Sequence, residues 1–172
     1  KKMVRSVVAN RNQYRKEIYD FLTNISFNNP LSITLAEKNS DPNNPIIGQR
    51  YIDNIKSSIN TKHFLNRVNQ KVFKNSFRRF GKCLKSFVVM EVSPLTKRHH
   101  IHLILEQPDR YSLVKFENVI NQSWSETRWG YNHTHIQTMY DNGWLFYLLK
   151  DRTKLDLLSD IDWENTHLGL AK

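Results

Sequence analysis

Two apolar runs dominated by β-formers, Ser86–Val92 and His99–Leu105, stand six residues apart, and nothing else in the chain constrains its fold as strongly. The connecting Ser93-Pro94-Leu95-Thr96-Lys97-Arg98 has the length and composition of a hairpin loop. Val4 to Leu22 keeps a helical apolar period through Tyr14, Ile18, Tyr19 and Leu22, and Asn28-Asn29-Pro30 ends it. Leu31–Leu35 alternates apolar and hydroxyl side chains, as a strand buried on one face does. Ser40 to Gly48, with two prolines, reads as a loop. A long helix is expected from about Gln49 to Phe80, with Asn60-Thr61 as the place where it would break. Tyr111–Trp124 is helical in pattern, His133–Thr138 reads as a strand and Gly143–Lys154 as a further helix. Asp156 to Glu164 is acidic and is expected to dock only loosely. Strands and helices in this order predict an α+β fold, a mostly antiparallel sheet with helices packed on it.

Composition narrows the class. In 172 residues that are 39% hydrophobic, one core fits and two would be crowded; a disordered tail is excluded. The single cysteine, Cys83, excludes a disulfide framework and any multi-cysteine zinc or iron–sulfur site. No apolar run approaches the roughly 20 residues needed to span a bilayer, and no signal-peptide core follows the basic N-terminus. A soluble, cytoplasmic protein with no membrane partner is the expectation.

Lys and Arg number 26 against 16 Asp and Glu, so the net charge is 26 − 16 = +10, which suits a polyanionic partner, nucleic acid first. The excess is concentrated. No acidic residue falls between Asp53 and Glu91, whereas Lys56, Lys62, Arg67, Lys71, Lys74, Arg78, Arg79, Lys82 and Lys85 all do. Arg67, Lys71, Lys74 and Arg78 are spaced 4, 3 and 4 apart, so one helix would carry them as a stripe opposite Leu65, Val68, Val72, Phe73 and Phe77. Charged faces normally interleave both signs. A purely cationic one is better matched to a phosphate backbone, here expected to lie across the reacting site.

Three groups of residues carry the chemistry. His100 and His102 alternate with Ile101, Leu103 and Leu105, so on a strand both imidazoles share a face, as two ligands of a divalent metal would. With 7 His in the chain, an H-x-H arises by chance in roughly one such sequence in four, and a second, His133-Thr134-His135, is present. Context favours the first pair. Glu91 is the lone carboxylate of the neighbouring apolar run, and a buried carboxylate needs a cationic partner: a metal, or else Arg98 or Lys97. Two imidazoles and one carboxylate leave coordination positions open, which fits catalysis; ligand softness suits Mn, Fe, Co, Ni or Zn. On the late helix, Tyr147, Lys150, Asp151 and Lys154 share a face. Cations beside a phenol favour its phenolate, the nucleophilic form.

Thr34-Leu35 in a first strand, His100-Ile101-His102 in a hydrophobic strand and Tyr147-x-x-Lys150 on a late helix come in an order that resembles the HUH endonucleases. Within them the similarity is to the Rep-type initiators of rolling-circle replication and the related single-strand transposases. The resemblance covers roughly residues 31–154 of a single domain, 1–172, with 1–30 as an N-terminal helix and 155–172 as an acidic tail. It implies an antiparallel sheet of RRM-like topology, with Glu91, His100 and His102 holding Mg²⁺ or Mn²⁺. Tyr147 is implied as the nucleophile on single-stranded or hairpin DNA at an origin or element end, and Lys150 as its companion. The products would be a 5′-phosphotyrosyl enzyme and a free 3′-OH, resealed by the same reaction reversed. Any helicase would come from another domain or protein. Asp151 is an alternative metal ligand, Tyr140 a reserve tyrosine, and His133, His135 and Gln137 a rival site or DNA contacts. Arg67, Lys71, Lys74, Arg78, Arg79, Lys82, Lys85 and Lys154 are the expected DNA-binding cations. Two other readings compete: a conjugative-relaxase-type nickase using Tyr14 or Tyr19, and a non-catalytic RRM-like binder of single strands.

Overall fold

The computed structural model describes residues 2–149 and 160–169, with side chains from residue 13 onward. The chain runs α1 (Lys2–Thr23), β1 (Pro30–Glu37), α2 (Asn54–Phe73), α3 (Asn75–Phe80), β2 (Ser86–Val92), β3 (His99–Glu106), α4 (Leu113–Ser125), β4 (Gly130–Thr138) and α5 (Gly143–Leu148). The strands form one antiparallel sheet in the order β2-β3-β1-β4. This is the α+β architecture expected, a split β-α-β-β-α-β arrangement preceded by α1 and followed by α5.

Period-2 alternation gives the sheet two differently covered faces. Leu31, Ile33, Leu35, Val88, Ile101, Leu103 and Leu105 point to one, where Phe64, Leu65, Val68 and Val72 of α2 and Phe116, Ile120 and Trp124 of α4 complete the main core. Phe87, Val89 and Ile104 point to the other, where they meet Leu22 of α1 together with Leu145 and Leu148 of α5. That second layer is smaller and leaves much of its face open.

Several boundaries differ from the sequence pattern, each for a local reason. α2 begins at Asn54, because Asp53 accepts a hydrogen bond from the Lys56 amide at 2.8 Å and caps it; Ile47–Gln49 is a separate 3-10 turn. The helix passes unbroken through Asn60-Thr61, since both are buried and bonded: Thr61 Oγ1 donates to Ser57 O, and Asn60 Nδ2 donates to Glu37. The break falls instead at Lys74, where φ is +51°. α5 ends at Leu148, and residues 150–154 of the predicted helix lie outside the described residues.

The described part of the C-terminal segment does not dock loosely. Ser86 exchanges backbone hydrogen bonds with His167, and the Asp162 amide donates to Val88 O, so the segment lies along the β2 edge. Ile161 is buried in the second layer, and Asn165 donates to Ser58 O and to Asp162. The buried Ile161 and the paired backbone outweigh the repulsion its carboxylates suggest.

Candidate active site

The β2–β3 register sets Glu91 opposite His100 and Val89 opposite His102, and β1 sets Thr34 opposite His102. Glu91, His100, His102 and Thr34 therefore share the open face, as the alternation of β3 requires. Thr34 Oγ1 lies 3.0 Å from His102 Nδ1, and Glu91 Oε2 lies 3.3 Å from His102 Nε2. His102 is thus held at both ring nitrogens, which fixes the orientation of its ring. The His100 and His102 rings lie nearly parallel, 6.4 Å apart. Burial lowers the pKa of His100, helped by the neighbouring His102, and keeps its imidazole neutral and able to ligate. His99, out of phase with the pair, is buried and faces the opposite layer, where desolvation also lowers its pKa.

α5 delivers the phenol to the same place. Buried Leu145 and Leu148 anchor it in the second layer, which turns Trp144 and Tyr147, three residues apart, toward the histidines. The Tyr147 ring lies 6.1 Å from His102 and stacks on Trp144 at 4.8 Å with 14° between planes. Trp144 also meets His102 edge-on, and its Nε1 is buried without a hydrogen-bond partner. Tyr147 stays 39% exposed, so its hydroxyl is open to a large substrate. Trp144 is the residue that sequence reading passed over; its signal was the aromatic pair at i, i+3.

Donor types fit a divalent cation, one carboxylate and two imidazoles from adjacent strands on one face. In this arrangement Glu91 closes on His102, and among the described residues no group of three His, Cys, Asp or Glu is gathered at coordinating distance. Lys150, Asp151 and Lys154 lie outside the described residues. Tyr14 is half exposed on α1 and Tyr19 packs edge-on against Phe146, whereas Tyr147 is the tyrosine in ring contact with His102. Tyr140 is 93% exposed just after β4, and His133, His135 and Gln137 are exposed on β4.

The cationic residues are placed differently from the expectation. α2 covers the sheet face opposite the site, so its cations do not lie across Tyr147. Nor is the stripe purely cationic: Arg67 pairs with Glu126 at 2.6 Å, Lys71 approaches the same carboxylate at 3.7 Å, and the turn at Lys74 sends Arg78 and Arg79 off on α3. The sequence pattern missed Glu126 because it comes from α4, far along the chain. Lys82 lies over the Phe73 ring, and Lys85 bonds Ser26 O and Glu106. Arg78 and Arg79 stay exposed.

Fold and site together define a split β-α-β domain whose open face brings a carboxylate, paired imidazoles and a phenol together. The family model for the replication-associated protein ORF2 group matches residues 34–156, more than half of the chain, and the chain belongs to that family. The match begins at the threonine bonded to His102 and includes every residue of the site. Comparison with curated proteins and with solved structures gives no match. No helix among the described residues is long and apolar enough to cross a membrane.

Proposed function

We propose that this replication-associated protein nicks and rejoins single-stranded DNA at an origin or element end, initiating rolling-circle replication or transposition. Tyr147 is the nucleophile, and Glu91, His100 and His102 hold a divalent cation, Mg²⁺ or Mn²⁺. The observation that carries this reading is the contact between Tyr147 and an oriented His102 whose two ring nitrogens meet Thr34 and Glu91.

Tyr147 Oη attacks the phosphorus, the bond from phosphorus to the 3′-oxygen breaks, and the departing 3′-oxygen takes a proton. One phosphoester bond forms as another is lost, so the strand can be resealed without a nucleotide cofactor. A bound cation would polarise the scissile phosphate and offset negative charge on its non-bridging oxygens. Thr34 and Glu91 keep the His102 ring in place, and Trp144 limits the directions open to the Tyr147 ring. Lys150 adds positive charge beside the phenol, and Asp151 is an alternative to Glu91.

Incubation with 3′-labelled single-stranded or hairpin DNA and Mn²⁺ should leave the label covalently on the protein, with mass spectrometry locating it on Tyr147. Tyr147→Phe should abolish the adduct while Tyr14→Phe retains it. Adduct on Tyr14 would return the relaxase-type reading. No adduct on any pool with Mn²⁺ or Mg²⁺ would leave a non-catalytic single-strand binder.

A further inference from the structure

Tyr131, His133, His135 and Gln137 occupy alternate positions of β4, and all four are exposed. Alternate residues share a face. His135 lies opposite Thr34, which lies opposite His102, so the row Val89–His102–Thr34–His135 crosses the sheet on its open side. β4 contributes no buried residue to the layer that α1 and α5 build on that side. Its outer face is therefore bare beside the reacting groups.

The chemistry of that face is uniform. Tyr131, His133 and His135 bear flat π rings, and no carboxylate interrupts Gly130–Thr138. Arg98, the last residue of the β2–β3 loop, places its guanidinium over the Tyr131 ring at 5.1 Å. Side chains two apart on a strand are spaced about 6.6–6.8 Å. That is twice the roughly 3.4 Å step between stacked bases, so one base fits between successive rings. Duplex bases have their faces covered by their neighbours; the faces of single-stranded bases are free to stack on such rings.

We infer that the outer face of β4 is a track on which single-stranded DNA runs past the reacting groups. Bases interleave with the rings of Tyr131, His133 and His135, and Arg98 closes the Tyr131 end. β4 runs parallel to β3, so a strand on this track follows the line from Arg98 through His100 to His102. Gln137, at the far end, offers an amide to a base edge. The track deepens the nicking reading by naming how substrate is held, but its binding chemistry does not require the reaction.

Fluorescence anisotropy of a labelled short single strand, with EDTA present to prevent cleavage, reads the track alone. Tyr131→Ala and His135→Ala should each weaken binding about tenfold, whereas Tyr131→Phe, which keeps the ring, should stay within about twofold of wild type. His63→Ala on α2, in the opposite layer, should bind as wild type does; thermal melts confirm that each variant is folded. Binding unchanged in both alanine variants, or an equal loss for single strand and duplex of one sequence, overturns the track. Weakened binding in a protein that never forms a Tyr147 adduct sinks the nicking reading and supports the track. A Tyr147 adduct with binding unchanged in both alanine variants sinks the track alone.

Discussion

Glu37 has no exposed surface, and its carboxylate accepts from Ser57 Oγ at 2.6 Å and from Asn60 Nδ2 at 3.3 Å. Desolvation outweighs both hydrogen bonds and pushes its pKa up to about 7. In the unfolded chain it titrates near 4.5, so between 4.5 and 7 the folded protein binds the extra proton. Its contribution to stability is therefore full below 4.5 and is lost as pH rises through 7, by about 3 kcal/mol in total. His99 and His100, whose pKa values are lowered on folding, act in the opposite sense and destabilise as pH falls through 6.5. The difference between wild type and Glu37→Gln isolates the carboxylate. Urea midpoints should show the variant gaining relative to wild type from about pH 5 to about pH 8; a pH-independent gap would show that Glu37 titrates normally.

At the scale of elements, β4 begins where α4 ends, and the turn is tight enough to exclude a side chain. A Cβ on Gly130 would run into the Trp124 carbonyl and Thr127 Oγ1, the group to which the Gly130 amide donates. Gly130→Ala should cost about 2 kcal/mol, read as a lower unfolding midpoint with an unchanged m-value. Some of this architecture was legible in the sequence. β2 was readable to the residue and β3 to within one, because alternation and a short loop are local signals. The same alternation placed His100 and His102 on one face and Glu91 beside them. What escaped notice depended on distant partners. The continuity of α2 through Asn60-Thr61 relies on Glu37 and on the Trp129 amide, which donates to Asn60 Oδ1. Glu37 itself carries a readable sign, a carboxylate in phase with Leu31, Ile33 and Leu35. Trp144 was visible only as an aromatic three residues before Tyr147.

For the whole molecule, the two layers separate charge from chemistry. α2, α3 and α4 form one side, with Arg78 and Arg79 exposed on it, and the candidate site faces the other way. With a net charge of +10, binding to DNA should weaken steeply with salt, by about 0.7 in slope for each neutralised phosphate of a single strand. Replacing Arg78 and Arg79 with Ala should reduce that slope by about 1 if α3 contacts the backbone, while the adduct yield at saturating DNA stays unchanged. Titrations across a sodium chloride series check both. An equal slope would show that α3 does not contact the DNA. The segment 160–169, which takes up the backbone groups of β2 from Ser86 to Val89, has a consequence for self-association. A sheet whose one border is filled by its own chain can be extended only at the other. Copies joined by strand addition would meet β4 to β4 across a two-fold axis, and such a pair is closed: it cannot grow into a fibre, and forming it would hide the β4 border.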